Sequence, residues 1–266
     1  MTIVLNEHEW AAEMIKARSL GKKPFETFIR IARYYIDNGM PRREVRRKMD
    51  MFLIQSEPTA SIPKWSDTLD YALEQAMKYP AVDIKSIDIT DKEMAKIDAI
   101  KGKQMRRLAF TLLCLAKYWD IVGTSSDHWV NTRDSDIMRM ANINTSIKRQ
   151  SLMYYNLNAS GLIQFSRRVD NTNVRVLFME PGEVVMRVTD FRNLGYQYLK
   201  FHGEPYFECK NCGVMTKSDK LYECRDGKVI FASGRKQKYC KACAAEIATQ
   251  QNVNSVMRLR YAETPS

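Results

Sequence analysis

Apolar residues recur every three to four positions over the first 80 residues, the spacing of helices with one buried face. The pattern predicts helices over about Glu7–Ser19, Pro24–Asn38 and Ser66–Lys78. A further helix opens at Pro41, a residue favoured in the first turn. The chain therefore begins with a helical domain. Residues 79–91 have the pattern of a linker or an edge strand, and we place the domain boundary there.

The helix after Pro41 has an apolar face and a strongly basic face. Val45, Met49 and Phe52 are spaced to point into a core. The opposite side carries a cluster of cations: Arg42, Arg43, Arg46, Arg47 and Lys48. Cations near a helix N-terminus oppose the macrodipole, at a cost of about 0.3–1 kcal/mol each. The cluster is therefore either an ordinary solvated face or a surface for an anionic partner, such as phosphate or an acidic protein.

The middle of the chain begins with a long helix predicted over Lys103–Val122. This helix is apolar on most sides, which indicates a central, buried position. A short strand at Trp129-Val130 follows, and Thr132 is placed to cap the next helix. Asp134 and Asp136 then fall in the first turn, where the macrodipole favours acidic side chains.

A second helix is predicted directly after the short turn formed by residues 142–144. It covers about Thr145–Ser160, and Ile147, Tyr154 and Leu157 are spaced to face the core. Glycine follows at position 161, as is common at the end of a helix. The middle segment thus contains two helices joined by a turn of only a few residues.

Two short strands, Leu162–Ser166 and Val174–Phe178, follow with turn-forming residues between them and predict a hairpin. Helix, short turn, helix and hairpin is the order of elements in a winged helix-turn-helix. The segment resembles that family, and the run Leu157–Ile163 looks like its join between recognition helix and wing. It departs from the family at Asn142-Ile143-Asn144, which replaces the commoner glycine-containing turn.

The resemblance implies DNA binding, with the second helix in the major groove and its N-terminal side chains at the base edges. That end of the helix offers polar and basic candidates: Asn144, Thr145, Ser146, Lys148, Arg149 and Gln150. The hairpin offers candidates for contacts with phosphates or the minor groove: Arg167, Arg168, Asn171, Asn173 and Arg175. The alternative is a winged helix used for protein contacts, with these arginines merely solvated.

Four cysteines near the C-terminus form two pairs with the same spacing, Cys209 with Cys212 and Cys240 with Cys243. Each pair offers two thiolates at the spacing that a tetrahedral metal ion needs, and four sulfurs complete the coordination of one Zn²⁺. A complete thiolate shell leaves no position for a catalytic water, so the predicted zinc is structural. Cys224 lies between the pairs and is an alternative ligand.

The surrounding segment resembles a treble-clef zinc finger, because a knuckle, a hairpin signal at Asp226-Gly227 and a cysteine pair at a helix start follow in that order. The resemblance implies a structural zinc and no fixed activity. Arg235, Lys236 and Lys238 are part of a group of basic residues in this segment. They form either a second surface for phosphate or a partner, or a solvated face.

Composition adds a weak preference for polyanionic partners. The formal net charge is +11, from 42 basic and 31 acidic side chains, and no segment is an extreme basic tail. We expect no leader and no membrane segment, because no apolar run approaches the roughly 20 residues of a span. The expected compartment is the cytoplasm, where cysteines serve as metal ligands or free thiols, and Cys114 fits a buried thiol.

Catalysis is not expected. His8, His128 and His202 have no metal-ligand or nucleophile spacing, and neither a phosphate-binding loop nor a dinucleotide glycine fingerprint is present. The acidic residues form no recognisable cluster for two-metal chemistry. The chain is therefore expected to bind rather than to transform its partner.

The sequence predicts a mainly α fold with small β elements. The expected parts are a helical domain (1–87), a winged helix-turn-helix (88–190), a connecting helix (191–203) and a four-cysteine zinc finger with its tail (204–266). The order of parts is loosely similar to uncharacterised phage and prophage regulatory or replication proteins. We expect a duplex-DNA-binding transcription regulator or replication initiator, acting in the host cytoplasm if phage-encoded. The alternatives are a module that binds or inhibits a host or defence protein complex, and a binder of RNA or single strands.

Overall fold

The structure is a computed structural model that describes residues 3–123, 127–167, 173–218, 221–223, 229–231 and 237–262. The described chain is mostly helical, with small sheets of two or three strands, which confirms the predicted fold class. Contacts divide it into two compact units. Unit 1 comprises Met1–Ile87 with Arg187–Phe191, and unit 2 comprises Asp88–Met186 with Arg192–Ser266.

Unit 1 is built from helices that bury one face each. They are α1 (Glu7–Ala17), α2 (Pro24–Asp37), α3 (Arg42–Ser56) and α4 (Ile62–Lys78). Helix α2 packs against each of the others. The core of unit 1 that they enclose includes the fully buried residues Phe28, Met49 and Leu69. The inward face predicted for α3 is confirmed, because Val45, Met49 and Phe52 are all buried.

A buried charge in unit 1 was not foreseen from the sequence. Glu7 is 3% exposed, and its carboxylate accepts from Arg30 Nε at 3.1 Å and from Arg33 Nη1 at 2.9 Å. The Val82 N–H donates to the same carboxylate at 3.3 Å. This carboxylate joins α1 to α2, because removing Glu7 would leave two largely buried arginines without their shared partner.

Unit 2 contains the remaining helices and most of the strands. The helices are α5 (Asp91–Asp98), α6 (Lys103–Val122), α7 (Asp134–Met140), α8 (Ile147–Ala159), α9 (Leu194–Phe201) and α10 (Lys241–Ala262). Helix α6 is the centre, because it contacts α5, α7, α8 and α9. Every residue from 108 to 116 is buried, which confirms the expected central helix. Cys114 lies in this stretch with no exposed surface, and burial raises the pKa of its thiol.

Among the described residues, the strands form four small sheets. They are β1 (Ile87–Thr90) with β5 (Val184–Val188), β2 (Trp129–Val130) with β4 (Val174–Val176) and β3 (Ile163–Phe165), β6 (Tyr206–Glu208) with β7 (Met215–Lys217), and β8 (Leu221–Glu223) with β9 (Val229–Phe231). In the three-stranded sheet the order is β2-β4-β3 and both pairings are antiparallel. The hairpin predicted after α8 is therefore present, and it is extended by β2.

Two local expectations in unit 2 are wrong. Ile147 does not face the core but is 80% exposed, because α8 begins at this residue and its buried face is formed by Met153, Tyr154 and Leu157. Thr132 does not cap α7, whose N-cap position is Arg133. The Thr132 hydroxyl instead accepts a hydrogen bond from Trp119 Nε1 at 2.9 Å. Across the described residues, no helix has both the length and the apolar character to cross a membrane.

Candidate metal centre and nucleic-acid surface

The two predicted cysteine pairs converge on one point. Sulfur atoms of Cys209, Cys212, Cys240 and Cys243 all lie within 4.8 Å of one another, and Cys212 Sγ is 3.8 Å from Cys240 Sγ. A tetrahedral ion bound at about 2.3 Å from each sulfur would separate the sulfurs by roughly 3.8 Å. This cysteine cluster therefore fits one tetrahedral metal ion. Cys224, the alternative ligand, lies outside the described residues.

The first pair is positioned by a tight turn between β6 and β7. The Cys209 N–H donates to the Val214 carbonyl at 3.1 Å, and the Gly213 N–H donates to the Cys209 carbonyl at 2.9 Å. Gly213 has φ +69°, a left-handed conformation that glycine adopts at little cost. The turn folds Cys212 back towards Cys209, as a zinc knuckle requires.

The second pair lies at the start of a helix. Cys240 directly precedes α10, and Cys243 lies in its first turn. The Lys210 N–H donates to the Lys238 carbonyl at 2.9 Å, which joins the knuckle to the segment before Cys240. The β8–β9 hairpin lies between the two pairs in the chain. Knuckle, hairpin and helix start thus occur in the order that the sequence predicts.

Backbone N–H groups converge on the sulfurs. The Cys240 N–H donates to Cys209 Sγ at 3.2 Å, and the Cys243 N–H donates to Cys240 Sγ at 3.5 Å. Burial raises the pKa of Cys209, but hydrogen bonds from the backbone of Cys212, Cys240 and Asn211 outweigh it and lower this pKa to about 6. The thiolate of Cys209, the form that binds metal, is therefore stabilised, whereas burial raises the pKa of Cys212 to about 12.

The candidates for DNA contacts at the start of α8 lie together on the surface of unit 2. Asn144, Ser146, Lys148 and Arg149 are exposed and Thr145 is half-buried. Gln150 differs from them, because its amide donates to the Thr145 carbonyl at 2.9 Å and is already engaged within the turn. The start of α8 therefore presents two cations and several short polar groups to solvent.

The hairpin candidates are more varied. Arg167 is exposed. Asn173 is half-buried, and its amide donates to Asn131 Oδ1 at 2.5 Å. Arg175 Nε donates to the Asp127 carbonyl at 2.9 Å, so this arginine holds the loop before β2. Arg168 and Asn171 lie outside the described residues.

Beyond the predicted duplex contacts, α8 carries a second set of exposed side chains. Ser151, Leu152 and Tyr155 lie on the side of the helix opposite Met153 and Leu157. Leu152 is 55% exposed and Tyr155 is 61% exposed. The core face of α8, once known, would have located them, since residues three and four positions apart share a face.

A chain of side-chain amides connects the α7–α8 turn to the cysteine-bearing segment. Asn142 Nδ2 donates to Asn193 Oδ1 at 2.9 Å, and Asn193 Nδ2 donates to the Met215 carbonyl in β7 at 2.9 Å. Asn142 Oδ1 also accepts from the Tyr196 N–H at 3.2 Å. Both asparagines have φ +56°, a left-handed conformation that asparagine tolerates better than most residues. This amide bridge gives Asn142 a structural role that glycine, which has no side chain, could not fill.

Close backbone packing supports the amide bridge. Gly195 in α9 lies so near the last turn of α7 that an added Cβ would fall 2.0 Å from the Ala141 carbonyl oxygen. Helix α9 also contacts α6, β6 and β7. The cysteine-bearing segment is therefore attached to the same packed unit as α8.

The basic residues of α3 lie in unit 1. Arg42, Arg43 and Arg47 are exposed and Lys48 is half-buried. Arg46 is engaged internally: its Nε donates to Asp70 at 2.6 Å, and its Nη1 pairs with Asp50. Near the cysteine cluster, Lys238 is exposed, whereas Arg235 and Lys236 lie outside the described residues.

Comparisons with known proteins give no relative. No protein-family model matches the chain, and no curated protein or solved structure is detectably similar to it. Any statement about its function therefore depends on the geometry of its own residues.

Proposed function

We propose that this chain binds duplex DNA by placing α8 in the major groove. The observation that carries the proposal is the exposed, basic N-terminal end of α8. Helix α8 itself contacts the buried helix α6 and strand β3. The order α6, β2, α7, α8, β3, β4 with sheet order β2-β4-β3 supports the proposal, because it is the order expected of a winged helix-turn-helix. An α-helix fits the major groove of B-DNA, and the first residues of a recognition helix reach the base edges.

The residues divide into base contacts and backbone contacts. Lys148 and Arg149 have the donors that guanine O6 and N7 accept, while Asn144, Thr145 and Ser146 offer short polar contacts at the helix start. Arg167 on the hairpin is suited to phosphates, which position the protein without reading sequence. Helix α8 contains no acidic residue, so no carboxylate of its own opposes the approach of DNA.

We also propose that the cysteine cluster holds one structural Zn²⁺. The metal would supply the link between the knuckle and α10, and all four positions around it would be filled by sulfur. Purified protein is expected to contain about one zinc per chain. Cys240→Ser should lose the metal and expose the backbone amides of β6 and β7 to hydrogen exchange. Full zinc content in that variant would contradict the assignment.

Selection of duplexes from a random library by zinc-loaded protein tests DNA binding. An enriched motif is expected, and Lys148→Ala with Arg149→Ala should weaken binding to it by about 5- to 150-fold, the equivalent of roughly 1–3 kcal/mol. Lys85→Ala with Lys200→Ala is the matched control, since it removes two exposed charges elsewhere. A flat selection, or equal losses in both double variants, would contradict the proposal.

The biological role that these parts serve is a separate proposal. We propose a phage-type transcription regulator or a replication initiator, since either would need only the parts described above. Finding the enriched motif beside a promoter would favour the regulator, and finding it at an origin-like sequence would favour the initiator.

A protein-binding module is the second candidate, favoured by the apolar side chains of α10. Val253, Val256 and Met257 are 45%, 48% and 55% exposed on this helix. Salt titration separates the candidates, because binding through several phosphates weakens steeply with salt and a mainly apolar interface does not. Binding to single strands or RNA in preference to duplex would instead support the third possibility raised by the sequence.

A further inference from the structure

The outward face of α8 is not a simple solvated surface. Lys148, Leu152 and Tyr155 are spaced four and three residues apart and share one side of the helix, opposite the buried Met153 and Leu157. A solvated face would be expected to carry polar side chains at these positions, but Leu152 is 55% exposed and Tyr155 is 61% exposed. The side chains of Leu152 and Tyr155 are therefore free to contact a molecule that binds this face of α8.

The charge around these side chains indicates what that partner is. Lys148 precedes Leu152 by one helical turn, Arg149 lies beside it, and α8 has no acidic residue. A partner that complements this face combines negative charge with a small apolar group. The major groove of DNA does so: it is strongly negative, and each thymine projects a C5-methyl group into it.

We infer that Leu152 is a specificity-determining residue that packs on a thymine methyl group one or two base pairs from the base pair contacted by Lys148. The inference rests on the proposed binding of duplex DNA by α8. Four residues along a helix correspond to about 6 Å, and successive base pairs are about 3.4 Å apart. Leu152 therefore reaches one or two base pairs from Lys148, and the site is expected to contain thymine at that distance from guanine.

Replacing thymine by deoxyuridine tests the inference, because this change removes only the methyl group. In the duplex enriched by selection, each dT is changed to dU in turn and the Kd of wild-type protein is measured. One position is expected to lose about fourfold in affinity, the equivalent of about 0.8 kcal/mol for one buried methyl-sized group. Leu152→Ser should bind the dT duplex more weakly and should show no difference between dT and dU at that position.

Two controls separate contact from misfolding. Leu152→Met keeps an apolar side chain and is expected to retain the preference for dT. Ile121→Ser removes an exposed apolar side chain at the end of α6 and should leave both affinities unchanged.

The outcomes distinguish this inference from the proposed function. An enriched motif with no dU-sensitive position, or with a sensitivity that Leu152→Ser retains, would overturn the role of Leu152 while leaving DNA binding by α8 intact. A flat selection would remove the proposed function and this inference together. A loss of affinity on changing dT to dU that disappears in Leu152→Ser and remains in Leu152→Met would support the role of Leu152.

Discussion

Replacing Asn193 by glycine is expected to lower the free energy of unfolding of unit 2 by about 2 kcal/mol. The change removes two side-chain hydrogen bonds, one to Asn142 and one to the Met215 carbonyl, each 2.9 Å long and partly buried. A neutral hydrogen bond contributes about 0.5–1.5 kcal/mol net. Glycine is chosen because φ is +56° at Asn193, where alanine would add strain of about 1–2 kcal/mol.

A double-mutant cycle isolates the amide bridge. Asn142→Gly removes the same bond to Asn193 and a second one to the Tyr196 N–H, so it is also expected to cost about 2 kcal/mol. The shared bond is lost only once in the double variant. Its cost should therefore be about 3 kcal/mol rather than 4, which corresponds to a coupling energy of about 1 kcal/mol.

Native-state hydrogen exchange gives the stability of unit 2 directly, from peptides that cover α8 and the β6–β7 hairpin. Asn144→Gly is the control, since this exposed asparagine lies in the same turn. If the two single losses simply add, with a coupling below about 0.3 kcal/mol, the turn and the cysteine-bearing segment are not joined through these amides. A loss in Asn193→Gly confined to the β6–β7 peptides would contradict the reasoning in the same way.

Two further predictions concern unit 2. Gly195→Ala should lower stability by about 1–3 kcal/mol, because its Cβ meets the Ala141 carbonyl, and an unchanged melting curve would show that α9 lies further away. Removing metal with a chelator, or through Cys209→Ser, should weaken DNA binding by α8, although no cysteine lies on that helix. Full affinity in metal-free protein would show that metal at the cysteine cluster does not affect DNA binding by α8.

The features that the sequence predicted well are those set by neighbouring residues. The cysteine pairs were found because each pair spans only four positions, and helix α6 because its apolar run leaves no polar face. Ile147 was misplaced for a related reason. Which face of a helix is buried depends on where the helix starts, and a one- or two-residue shift in that start turns a core position into an exposed one.

The features that the sequence could not predict depend on contacts between distant residues. The partners of Asn193 in the amide bridge are 51 and 22 positions away, and Arg46 pairs with an aspartate 24 positions away. No periodicity signals such pairs, because each residue alone is an ordinary polar side chain. Asn142 offered the one clue, since asparagine in place of glycine keeps the left-handed turn and adds an amide that needs partners.

The amide bridge changes the role that a structural metal would have in this chain. A closed four-cysteine site does no chemistry, and a finger joined by a loose linker would affect only its own stability. Here the carbonyl of Met215, two residues beyond Gly213 in the knuckle, holds Asn193, and Asn193 holds the turn that sets the start of α8. A metal that orders the knuckle would therefore also restrict the turn before Lys148 and Arg149. We therefore expect metal binding at the cysteine cluster to position α8, and loss of the metal to weaken the two partly buried hydrogen bonds of Asn193.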